Sequence, residues 1–372
     1  MANAQNRWCA NGERPLIAAL AAGAAAGFLL ASAGNARLVR LRAEHRLDAA
    51  DPLLNAPPVV AFTTVVLGGF RGLIADALWL RAARMQEQGR FFELVQLADW
   101  ITKLEPRCTE IWAFHAWNMA YNVSIMMSDD GERWRWVHNG IGLLARDGLR
   151  YNPGDPSLYF EIGWLFQHKI GGVTDRRHGY YKHRWAAEMT ALLGGGRPDF
   201  DALSTDSERQ ATMLKEYGLS PETMREVDEK YGPLDWRTAE AHAVYWAYRG
   251  LRAAPDGRFL PSQRMIYQSL TVSLARGRLI RDEVSGALAV APHPEILPRV
   301  LEAYESALRD YPIDSVKQAY AGFLRHAVLF FEGLEREAEA RGLFERLRRM
   351  FPDGATAAGY EASVRQWKEA LR

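Results

Sequence analysis

Between residues 75 and 167 the chain reads ADALWLRAARMQEQ, RFFELVQLADWITKLEP, TEIWAFHAWNMAYN and PSLYFEIGWLFQ. Each stretch has helical length and carries aromatics at helical spacing, and glycine or proline divides it from the next. Apolar residues recurring at i, i+3 and i+4 place one stripe along each helix, and such stripes are buried by packing helix on helix. The pattern predicts an all-α body built from antiparallel helical hairpins.

Composition narrows the function classes. With 48% hydrophobic and 24% charged residues in 372, the chain can bury one large core or two smaller ones. A net charge of +1 gives no basic field for nucleic acid and no acidic field for a cationic partner. Ten of the 12 tryptophans gather between 79 and 185 and again at 236 and 246, where helix–helix packing and a binding surface compete as explanations. Cys9 and Cys108 lie far apart and neither has CxxC or Cys/His metal spacing, so neither a disulfide nor a zinc site is expected, and the compartment stays open.

Residues 15–33 (PLIAALAAGAAAGFLLASA) form an uncharged run flanked by arginines, long enough to span a bilayer as a helix. An uncleaved single-pass anchor is the expectation. A cleaved signal competes, because Ala31-Ser32-Ala33 has the small-x-small form of a cleavage site, and a soluble hairpin helix is the third reading. More arginines follow the run than precede it, which favours a cytoplasmic body. The short basic start before a large domain favours export, and an extracytoplasmic body is the expectation adopted. Gly23 and Gly27 have the spacing that lets two such helices approach and form a homo-oligomer. The apolar stretch 58–70 is too short to span and suits a buried or interfacial lead-in.

The expected organisation is an anchor or signal (1–35), a stalk and linker (36–58), an N-terminal helical block (59–170), a helical insertion (171–235) and a C-terminal helical block with a capping helix (236–372). The insertion is marked by a loss of rhythm: a helix from 185 to 193, Gly194-Gly195-Gly196, a polar stretch 198–219, and a helix start at Ser220-Pro221-Glu222. Residues 279–293 read as a β-hairpin around Ser285-Gly286 or as a loop. At the C-terminus Tyr360, Val364, Trp367 and Leu371 share a helical face suited to capping the stack.

Several of these helices resemble the tetratricopeptide repeats, whose small residues let paired helices close and whose aromatics fill the gap to the next pair. Tyr159, Ile162, Gly163 and Phe166 match the first-helix pattern, and Trp112 and Ala116 match it in part. Gly148-Leu149 with Pro153 resembles the close of a second helix. So do Tyr304, Ala307, Leu308 and Pro312, and Ala340, Phe344 and Pro352. The spacing departs from the family: Pro106 to Pro153 is 47 residues and Pro312 to Pro352 is 40, against about 34 in the family. The first unit also lacks the family's small residue at the start of its second helix. FRGLIADALWLRA, ELVQLADWITKLEPR and YGPLDWRTAEAHAVYWA resemble uncharacterised membrane-anchored bacterial repeat proteins, which implies no activity.

The resemblance implies a concave face lined by first-helix residues. Counting units from Ala75, Thr109 and Pro156 places there Trp79, Gln86 and Glu87, then Trp117 and Tyr121, then Phe160, Trp164, Gln167 and His168. Aromatic rings with amide and imidazole hydrogen-bonders suit an extended peptide or a glycan, and no Lys or Arg is present to clamp a terminal carboxylate. The competing expectation is that the insertion covers these rings and makes them core.

No catalytic kit stands out. His178 and His183 in HGYYKH lack a helical metal spacing and read as a surface loop, and Asp129, Asp130 and Glu132 read as a helix start. The glycine triplet is followed by Arg197, not Lys-Ser/Thr, so it is no phosphate loop, and GxSxG, HExxH and dinucleotide fingerprints are absent. No metal, cofactor or catalytic residue is expected. The resulting reading is a membrane-anchored scaffold that binds a protein partner in an envelope-associated complex. Recognition of a polysaccharide or peptide in export or surface biogenesis is second, and an enzyme with a site between the repeat body and the insertion is third.

Overall fold

A computed structural model describes residues 70–281, 288–352 and 359–370, together with single helical positions between 19 and 44. The chain divides into two compact units, 1–68 and 69–372. In the first, the described positions, Gly23 and Gly27 among them, are helical and exposed. Most of the expected anchor, the stretch 58–69 and the turn at Ser285-Gly286 lie outside the described residues. Among the described residues no helix is long and apolar enough to cross a membrane.

Among the described residues the second unit is helical apart from one small hairpin. Its first helices are α1 (Phe70–Glu87), α2 (Phe91–Leu104) and α3 (Thr109–Trp117, continuing to Met126). Then come α4 (Asp130–Gly142, continuing to Tyr151) and α5 (Pro156–Trp164, continuing to Ile170). The insertion supplies α6 (His178–Leu193), α7 (Phe200–Thr205), α8 (Ser207–Thr212, continuing to Tyr217) and α9 (Pro221–Tyr231). Then follow α10 (Ala239–Ala253), α11 (Leu260–Arg276), α12 (Leu297–Asp310), α13 (Asp314–Gly333), α14 (Glu337–Met350) and α15 (Tyr360–Ala370). Strands β1 (Arg278–Arg281) and β2 (Leu288–Ala291) pair antiparallel, with Arg278 opposite Ala291, which resolves the 279–293 ambiguity in favour of a hairpin.

Helix starts follow local chemistry. Asp155 precedes Pro156 and its carboxylate accepts from the Ser157 N–H, Ser220 precedes Pro221 and accepts from Thr223, and Asp129 accepts from Glu132. Each satisfies an otherwise orphaned N–H, and proline at the first helical position has none to satisfy. One expectation is corrected. HGYYKH is the start of α6, not a loop, and in that turn His178 Nδ1 and Lys182 Nζ, four residues apart, lie 3.1 Å from each other. Among the described residues no group of acids, histidines or cysteines could hold a metal ion.

Consecutive helices pair through α3 and α4, after which α5 crosses the insertion to pack on α10 and α11, and the chain runs on through α12, α13 and α14. One continuous core extends from Trp112 to Val364. Within it Gly163 sets the α5–α10 distance: a Cβ there would lie 3.3 Å from the Ala243 carbonyl and collide with Met265. The insertion folds onto the end of α5, α10 and α12 through α6 and α9. At the C-terminus Tyr360 and Trp367 of α15 stand against Phe344, at 5.3 and 6.0 Å.

Candidate functional site: an aromatic slot between α3 and α5

The stripes of α3 and α5 that face one another are built on four-residue steps: Trp117 and Tyr121 on one, Phe160, Trp164 and His168 on the other. Trp117 and Trp164 are parallel to within 1°, with ring centres 6.4 Å apart. His168 stacks on Trp164 at 4.9 Å and 7°, and Tyr121 tilts against Trp117 at 5.0 Å. The rings wall a slot of about 560 Å³, completed by Gln86, Phe114, Asn118, Asn122 and Glu161. That volume lies within the range of ligand pockets.

Both helices depart from regular α geometry here. Asn118–Val123 and Leu165–Ile170 form wide turns with i→i+5 hydrogen bonds, such as Ser124 N–H to the Met119 carbonyl and Gly171 N–H to the Phe166 carbonyl. A third wide turn, Leu143–Gly148, lies in α4. Wide turns of this kind change the angular spacing of side chains and recur at functional sites.

Hydrogen bonds fix the polar groups. The Trp117 indole N–H donates to Glu161 Oε2 at 2.6 Å, and burial pushes the Glu161 carboxyl up against the pull of that bond. Tyr121 Oη lies 3.0 Å from His168 Nδ1. Burial raises the phenol far above its ordinary range, so it stays protonated. Behind Tyr121 the Lys169 ammonium lies 5.1 Å from its ring and pairs with Asp175 at 2.5 Å, with both side chains nearly inaccessible. That pair holds the end of α5 and supports the Tyr121 ring. The Trp164 indole N–H is buried and makes no hydrogen bond within 3.5 Å among the described residues, having only a weaker interaction with the Tyr121 hydroxyl. A weakly met buried donor is costly, and an acceptor on a ligand would remove that cost.

The structure gathers Gln86, Trp117, Tyr121, Trp164 and His168 at the slot. Trp79 flanks it, 37% exposed and 4.8 Å from Phe114. Phe160 extends the ring row away from the slot toward Phe259 at 6.4 Å. Two expected residues are corrected. The Gln167 amide donates to Ser269 Oγ at 3.0 Å on α11, because the wide turn at Leu165–Ile170 rotates it off the slot face. Glu87 ends α1 exposed and does not line the slot. Glu161, Asn118 and Asn122 were missed, although each sits one residue or one helical turn from a slot aromatic. No residue of 171–235 lines the slot among the described residues, so the insertion is not its cover.

An all-α helical body with an open aromatic slot is the class that fold and site define. No protein-family model matches the chain and no curated protein matches it.

Proposed function

We propose that the protein is a membrane-anchored, tetratricopeptide-like scaffold whose α3–α5 slot captures an extended segment of a protein partner in an envelope-associated complex. Residues 15–33 are the anchor, and the helical body lies on the extracytoplasmic side. The observation that carries the binding role is the slot itself: parallel tryptophans beside a weakly partnered indole N–H and a lone carboxylate. The exposed faces and edges of the ring row accept an apolar or ring-bearing side chain, the indole N–H donates to a backbone carbonyl, and Glu161 complements a Lys or Arg.

The test is capture of partners from solubilised membranes by the tagged full-length chain, run beside a Trp117→Ala/Trp164→Ala variant. A specific protein retained by the wild type and lost by a folded variant is the expected result. Retention by the variant would remove the slot from the function. A polysaccharide is the second reading, favoured by Gln86, Asn118 and Asn122 beside the rings. Binding on a glycan array with loss in the same variant would replace the first reading with it.

A further inference from the structure

A second cavity of about 280 Å³, which shares no lining residue with the slot, lies among α6, the start of α10, the end of α11 and the β1–β2 hairpin. Val173, Ala186, Leu279, Leu288 and Val290 make most of its wall apolar. Its charged groups are Lys182, Arg276, Arg237 and Glu240. Arg237 is already committed: it pairs with both oxygens of Asp235, at 2.8 and 2.7 Å, and donates to the Leu279 carbonyl. Lys182 donates to the Gly172 carbonyl and lies 3.1 Å from His178 Nδ1, with no carboxylate in ion-pair range among the described residues. Arg276 likewise has no ion pair among them. Glu240, 8% exposed in the first turn of α10, lines the cavity with its carboxyl met by its own backbone N–H and by no ion pair among the described residues. Gly171 leaves room for that carboxyl, since Glu240 Oε1 stands 3.3 Å from where a Cβ would project.

The charge count decides the ligand. Two free cations face one carboxyl at the end of an apolar cavity, where opposite charge is attracted far more strongly than in water. The N-terminus of α10, a helix of 15 residues, adds positive potential at the same end. Burial pushes the Glu240 carboxyl above its usual range, and in either protonation state positive charge stays in excess. Burial and Arg276 together hold the Lys182 ammonium below its usual range, which an anionic headgroup would reverse. At ~30 Å³ per water-sized unit the cavity takes roughly nine or ten non-hydrogen atoms. We propose that this cavity binds a small amphiphilic carboxylate, its headgroup between Lys182 and Arg276 and its hydrocarbon against Val173, Leu288 and Val290.

The probe is sodium octanoate, with octylamine and octanol as controls, applied to the full-length chain in lipid nanodiscs while thermal unfolding is followed. Octanoate is expected to raise the unfolding temperature in proportion to the logarithm of its concentration, and the amine and alcohol are not. Lys182→Gln and Arg276→Gln should each weaken the octanoate response roughly tenfold, as loss of one charge-assisted hydrogen bond does. The Trp117→Ala/Trp164→Ala variant should keep the response, which separates this site from the slot. An equal response to octanol, or full response in both cation variants, would overturn the proposal. A photoreactive octanoate bearing a terminal diazirine gives a readout that needs no variant. Its label should map to α6 or to residues 288–291 and be displaced by octanoate, and labelling elsewhere also overturns it.

Discussion

On α1, α2 and α3, Trp79, Trp100 and Trp117 keep 37%, 50% and 39% of their surface exposed; around α10, Trp185, Trp236 and Trp246 keep 2%, 0% and 0%. The residue type and the helical spacing are the same in both regions. What differs is how many helices return to cover the rings. Helix α10 is surrounded by α5, α9 and α11, and α6 brings Trp185 to 4.7 Å from His242. The start of the body has neighbours chiefly on one side, because α1, α2 and α3 pack in chain order. Ring density therefore measures the capacity to bind or to pack, and long-range connectivity decides which is realised. Helix α5 belongs to both regions, with Trp164 and His168 on the slot side and Ile162, Gly163 and Phe166 turned into the core.

The sharpest way to break this comparison is to remove a closed ring. Trp246 packs edge-on to Tyr245 at 5.2 Å and lies under Arg249 at 4.9 Å, with no surface exposed. Trp246→Ala should cost about 3–5 kcal/mol, the usual loss for a fully buried large aromatic. The change in urea midpoint at constant slope measures it. A loss under about 1 kcal/mol would mean that the closed region is not the stabilising core. The next effect is at the helix the regions share. Gly163→Leu drives α5 off α10 and α11, where the Ala243 carbonyl and Met265 leave no space, and overpacking should cost about 3 kcal/mol. Unchanged stability would disprove the close approach of these helices.

Acid should weaken both regions through buried histidines. Burial lowers His242 and His115 to about 4 from 6.5. The unfolded chain then binds protons that the fold resists, so stability is full above pH 6.5 and is lost as pH falls toward 4. At pH 5 each histidine should account for ~2 kcal/mol of that loss. His242 keeps one bond, Nε2 to the Trp236 carbonyl at 2.8 Å, whereas both His115 nitrogens lack partners among the described residues. His115→Leu should thus leave stability at pH 7 nearly unchanged or improved and flatten the acid slope, read as unfolding temperature against pH. Equal slopes in variant and wild type would place the acid sensitivity elsewhere.

Much of this arrangement is legible in local sequence because its causes are local. Asp155-Pro156 and Ser220-Pro221 start helices by satisfying or removing an N–H, and the four-residue steps of Trp117, Tyr121, Trp164 and His168 predict one face. Gln167 escapes that logic because the i→i+5 turn changes the angle per residue, and no residue pattern announces such a turn. HGYYKH reads as a loop in sequence for a related reason: a glycine and two histidines lower helix propensity, yet Tyr181 and Trp185 anchor that turn in the core. The bond from Arg237 to the Leu279 carbonyl, the surroundings of Glu240 and the covering of the α10 rings depend on residues dozens of positions apart, and local periodicity carries no record of them.

The smallest expected packing loss is the most informative about function. Trp117 is 39% exposed, so Trp117→Ala forfeits only part of a tryptophan's packing, about 2 kcal/mol including its bond to Glu161. Capture of a partner should nevertheless fall sharply, since the slot would lose one wall of its exposed aromatic surface. Trp117→Phe restores a ring without the indole N–H and separates the two contributions. Recovery of capture by phenylalanine would assign the role to stacking, and failure to recover would assign it to the Trp117–Glu161 bond that fixes the wall. A loss of several kcal/mol in Trp117→Ala would instead make this ring part of the core, and the difference between the two regions would disappear.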